Sequence, residues 1–64
     1  MNITKLLIDE YGLSLIQIMY KTGATEGTVI RWRNGAHKPD RRYREKLVRI
    51  LEQQEEKKAQ RAIS

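Results

Sequence analysis

The hydrophobic positions of this 64-residue chain fall into four short runs with helical spacing, divided by glycines and a single proline. In the first run Ile3, Leu6, Leu7 and Tyr11 share one side and Gly12 follows as a stop, so the spacing predicts a helix over about residues 2–10. Ser14 precedes a second run of Leu15, Ile18, Met19 and Thr22, and Gln17 stands three residues after the serine as in a capping box. That predicts a second helix ending before Gly23, a residue that can enter a left-handed turn without a Cβ clash. Thr25 is placed to cap a third helix over about residues 25–33, whose apolar side is Val29 and Trp32. Asn34-Gly35 ends that helix, and Pro39 keeps His37 and Lys38 out of the next one. Asp40 then caps a fourth helix, in which Tyr43, Leu47, Ile50 and Leu51 lie within about 100° of one another.

The fourth stripe stops at Leu51, because the same face continues with Gln54, Lys58 and Arg61. Residues 1–51 are therefore expected to fold, and residues 52–64 to form a polar helical extension or flexible tail with nothing to bury. The expected fold class is all-α, a compact four-helix domain whose core rests on Leu6, Ile18, Val29, Trp32 and Leu47.

Size narrows the function classes. A chain this short buries only about 60% of the surface its unfolded form exposes. So thin a core leaves little room for an enclosed pocket, which argues against an enzyme and against a small-molecule substrate. With no cysteine there is neither a disulfide framework nor a thiolate zinc site. His37, the only histidine, lies in a polar loop without an accompanying nucleophile or carboxylate cluster. A surface or phosphate-adjacent role is expected for it rather than catalysis or metal binding, and no cofactor is expected. No apolar run approaches the roughly 20 residues of a membrane span, and the N-terminus lacks the basic-then-apolar plan of a secretory signal. The expectation is a cytoplasmic protein without a membrane partner.

The net charge of +5 is unevenly placed. Residues 1–24 balance to zero, whereas residues 25–44 carry Arg31, Arg33, Lys38, Arg41, Arg42 and Arg44 against Glu26 and Asp40, a net +4. A concentrated basic segment suits a phosphate-rich partner, though charge on a surface also serves solubility. Part of the cluster is self-compensated, since Arg41 with Glu45 and Glu45 with Arg49 are i,i+4 pairs, whereas Arg42 and Lys46 repel at the same spacing.

What the third helix shows to solvent follows from its core side. With Glu26 at 0° and 100° per residue, Val29 falls at about 300° and Trp32 at about 240°, so the buried direction is near 270°. The other side carries Glu26, Ile30, Asn34, Gly27 and Arg31. These types match what base edges offer: arginine forks onto guanine, glutamate accepts from cytosine, asparagine pairs with adenine and isoleucine touches a thymine methyl. Gly27 allows close approach. The plain alternative is a solvated helix face, with Glu26 serving only the helix dipole. Arg33, Lys38, Arg41 and Arg42 come on the adjoining loop and helix start, where phosphates flanking a groove would lie.

From Leu13 to Pro39 the sequence LSLIQIMYKTGATEGTVIRWRNGAHKP resembles the helix-turn-helix of the phage Cro and repressor family, the XRE-like regulators. The Gly23 turn, the Val29 and Trp32 core positions, the Asn34-Gly35 helix end and the Lys38-Pro39 exit fall where that family places its own. The resemblance implies a lambda-repressor-like fold and major-groove reading of a double-stranded DNA operator by the third helix. It implies base contacts from Thr25, Glu26, Gly27, Thr28 and Arg31, to which the exposed face adds Ile30. Phosphate contacts are expected from Ser14, Gln17, Arg33, Asn34, His37, Lys38, Arg41 and Arg42. Leu15 stands where the family often has a phosphate-binding glutamine, so that contact is either missing or shifted to Gln17 or Ser14. Met19 replaces the usual alanine where the two helices cross, and the fifth helix common in the family has no apolar stripe to form it.

The resulting expectation is a sequence-specific transcriptional regulator, a repressor of phage or mobile-element type by the resemblance. It should act as a homodimer at least on DNA, since one small module contacts few base pairs. The competing expectation is an adaptor of the same fold that binds protein and does not read DNA. Salt dependence separates the two.

Overall fold

A computed structural model describes the backbone of residues 1–63 and the side chains of residues 1–60. The chain forms four helices in order, α1 (Ile3–Asp9), α2 (Leu15–Thr22), α3 (Glu26–Asn34) and α4 (Arg41–Ile63), with no strand among the described residues. The all-α expectation is met.

Local chemistry fixes each boundary. α1 is shorter at both ends than the spacing predicted: Asn2 is its N-cap, its side chain accepting from the Lys5 N–H, and Glu10 is its C-cap, its N–H donating to the Leu6 carbonyl. The capping box on α2 is formed in full, with the Gln17 N–H donating to Ser14 Oγ at 3.1 Å and the Ser14 N–H donating to Gln17 Oε1 at 2.8 Å. α2 stops at Gly23, whose φ of +79° lies in the left-handed region where a side chain would be strained. Thr25 is the cap rather than the first residue of α3, and Asn34 is still helical. The Tyr43 N–H donates to Asp40 Oδ1 at 3.1 Å, which makes Asp40 the cap of α4 as expected.

The core gathers Leu7, Leu13, Ile18, Ala24, Val29, Trp32, Leu47 and Ile50. One expectation is corrected here: Leu7, not Leu6, is the fully buried leucine of α1. The two lie about 100° apart on a seven-residue helix, so rotating α1 onto α3 and α4 can bury only one of them fully. Leu6 instead lines a groove of about 480 Å³ with Glu10, Tyr11, Gln54, Lys57 and Lys58. That groove exists because α4 continues unbroken past Leu51, where Gln54 is half-buried and Lys58 Nζ lies 5.9 Å from the centre of the Tyr11 ring.

α4 also anchors the α2 end. Lys46 Nζ donates to the Thr22 carbonyl at 3.2 Å, meeting an acceptor that the end of a helix leaves open, and it lies 5.9 Å from the centre of the Tyr43 ring. Tyr43 in turn packs on Trp32 with ring centres 5.1 Å apart at 54°. α2 and α3 are thus held from beneath by α1 and α4. Among the described residues no helix is long and apolar enough to cross a membrane.

Candidate nucleic-acid interface

α3 has a clear inside. Val29 is 0% exposed and Trp32 4%, so the helix is locked in rotation about its own axis. Its other side is then fixed: Glu26, Gly27, Ile30, Arg31 and Asn34 are all exposed. Among the described residues the ion pairs are Arg33–Asp9 and Arg41–Glu45, so neither the Glu26 carboxylate nor the Arg31 guanidinium has a charged partner. Gly27 is informative in a different way. A Cβ built there would meet nothing within 4 Å, so no internal contact requires the glycine. A glycine in a helix costs up to about 1 kcal/mol against alanine, which leaves an open notch in the exposed face as its visible consequence.

The two threonines are partly committed. Thr25 Oγ1 and Thr28 Oγ1 are hydrogen-bonded at 2.9 Å, and the Thr28 N–H donates to Thr25 Oγ1 at 3.4 Å. A hydroxyl has one donor and two acceptor sites, so the pair keeps outward capacity, although Thr28 is half-buried.

Ser14 and Gln17 sit at the start of α2, both exposed and both tied into the capping box. The box uses the Ser14 hydroxyl oxygen and the Gln17 carbonyl oxygen as acceptors. It leaves the Ser14 O–H and the Gln17 NH₂ as donors, and donors are what an anion requires.

The basic residues divide into two sets. His37, Lys38, Arg41 and Arg42 are exposed along the loop after α3 and the first turn of α4. Arg41 contacts Glu45 at 3.5 Å, but side-chain exposures of 94% and 72% make this a solvent-screened pair that holds neither group firmly. Arg33 belongs elsewhere: its guanidinium donates to Asp9 Oδ1 at 3.1 Å, so it faces α1. On the wheel it lies at about 340°, between Glu26 and the buried Val29, which explains its half-buried position.

Sequence patterning missed Asn2, whose Nδ2 donates to the carbonyls of Trp32 at 2.8 Å and Arg33 at 2.9 Å. A helix-capping asparagine before Ile3 was detectable locally; its second role across 30 residues was not. Two apolar side chains are also uncovered on α2, Ile16 at 74% and Tyr20 at 90% exposure. Comparison with family models, with curated proteins and with solved structures finds no match.

Proposed function

We propose that this chain is a sequence-specific double-stranded DNA-binding regulator that reads the major groove with α3. The observation that carries the reading is the complete inward turn of Val29 and Trp32, which leaves Glu26, Gly27, Ile30 and Arg31 as one uncovered face. That face combines an unpaired donor fork, an acceptor and an apolar patch, the set that distinguishes base edges in the major groove. The vacant Cβ position at Gly27 gives a backbone close approach that nothing inside the protein needs. The exposed His37, Lys38, Arg41 and Arg42 after α3, and the free donors of Ser14 and Gln17 at the start of α2, suit phosphates bordering a groove. Arg33 is assigned to the α1 contact instead.

The resemblance of Leu13–Pro39 to the Cro and repressor family supports a helix-turn-helix of lambda-repressor type and, by extension, repression as a homodimer on two half-sites. Ile16 and Tyr20 favour a second reading, an adaptor of the same fold that docks a protein, because two large apolar side chains four residues apart on one helix face are open to water.

Salt separates the readings. Replacing Lys38, Arg41 or Arg42 singly by a neutral residue is expected to weaken all duplexes about equally. Wherever the replaced side chain met a phosphate, the slope of log K against log salt becomes shallower by about 0.9. Unchanged slopes for all three variants show that this cluster does not meet DNA, and a protein partner whose binding barely responds to salt supports the adaptor.

A further inference from the structure

The end of a helix leaves its last carbonyls without partners in the helix, so its final turn frays unless something outside meets them. At the end of α3 the Gly35 N–H donates to the Trp32 carbonyl at 3.2 Å and the Ala36 N–H to the Arg31 carbonyl at 2.9 Å. One side chain adds to these, meeting the Arg33 carbonyl and giving the Trp32 carbonyl a second donor. Asn2 Nδ2 donates to both Trp32 and Arg33 carbonyls, while its Oδ1 accepts the Lys5 N–H at 3.0 Å. An asparagine amide has two N–H donors and one carbonyl oxygen, and here all three functions are used. No other residue type of this length supplies them: aspartate lacks the donors, and serine has one O–H on a shorter arm.

Asn2 thereby ties the first turn of α1 to the last turn of α3. The other polar tie between these helices, Arg33–Asp9, has side chains 42% and 36% exposed, so it is screened and cannot hold the helix end alone. Arg31 lies within the turn that Asn2 clamps, its own carbonyl accepting from Ala36.

We propose that Asn2 is a positioning residue for base reading, which clamps the final turn of α3 and so fixes how Arg31 is presented to a duplex. The inference rests on the assignment of α3 as the groove-reading helix. A reading side chain must be held to about half an ångström, so loosening its turn degrades discrimination before it degrades attraction to phosphate.

Asn2→Ser keeps an oxygen that caps α1 but removes the donor fork. Asn2→Asp also keeps the cap and sets a carboxylate oxygen against two carbonyl oxygens, so it should act further in the same direction. Amide hydrogen exchange and duplex binding are measured at one salt concentration and at a temperature where wild type is fully folded. The duplexes are one recovered by selection from a random pool and one of scrambled order. In Asn2→Ser, exchange at Gly35 and Ala36 is expected to rise about tenfold, the loss of about one net hydrogen bond, with exchange at Ile18 and Leu47 unchanged. The ratio of affinities for the two duplexes should fall about fivefold or more, with scrambled-duplex affinity little altered.

Unchanged exchange at Gly35 and Ala36 overturns the clamp. Faster exchange with an unchanged affinity ratio leaves Asn2 a structural tie and overturns its part in reading. General unfolding of the variant shows Asn2 holding the whole fold rather than the end of α3, which also overturns the assignment. Wild type that fails to discriminate overturns the reading of α3 itself, and that result is seen without any variant.

Discussion

Leu47→Ala is expected to bring the domain close to unfolding. Leu47 is 0% exposed and comes from α4 into a core that has eight buried apolar residues among the described residues, Leu7, Ile18 and Val29 with it. Truncating a buried leucine costs about 2–5 kcal/mol, through lost burial and the cavity left behind. Single domains are stable by about 5–15 kcal/mol, and one with this little core belongs at the lower end. At about 4–8 °C per kcal/mol for a chain of this size, the melting temperature should fall by at least roughly 10 °C. Thermal unfolding followed by circular dichroism checks it, and a fall of only a degree or two would mean that α4 is not packed against α1 and α2.

Arg31→Ala should act on recognition with little effect on stability. The side chain is exposed and has no ion pair among the described residues, so a folded core held by Val29 and Trp32 does not depend on it. If Arg31 forks onto a guanine, the variant loses about 1–3 kcal/mol on the preferred duplex and relaxes preference at one base position per half-site. Binding of wild type and variant is compared on the preferred duplex and its single-base variants. An equal drop on every duplex makes Arg31 a phosphate contact instead. No drop at all removes α3 from the groove.

What the chain makes legible is what local spacing encodes. Ser14 and Gln17 announce their capping box because both partners lie within one turn, and Gly23 announces its left-handed stop because the conformation belongs to the residue itself. The outward face of α3 is legible for the same reason: Val29 and Trp32 define an inside, and helical geometry then places Glu26, Ile30 and Arg31. The choice between Leu6 and Leu7 is not legible, since adjacent leucines give a short helix two possible apolar directions and only packing chooses one. The contacts Asn2 to α3, Arg33 to Asp9 and Lys46 to the Thr22 carbonyl join residues 24 to 31 apart, a separation over which spacing carries no signal. The last of these also gives Lys46 a place: it turns toward the end of α2 rather than standing in an uncompensated cluster with Arg42.

Whether α3 reads sequence is decided by selecting bound duplexes from a random pool with the 64-residue chain. Enrichment of one short motif is expected, repeated in two-fold symmetry with half-sites about one helical turn apart if two copies bind together. Arg31→Ala, selected from the same pool at the same salt, should lose preference at a single position of that motif while keeping the rest. A wild-type pool that stays random through successive rounds, although the protein still retains DNA at low salt, would remove α3 from sequence reading.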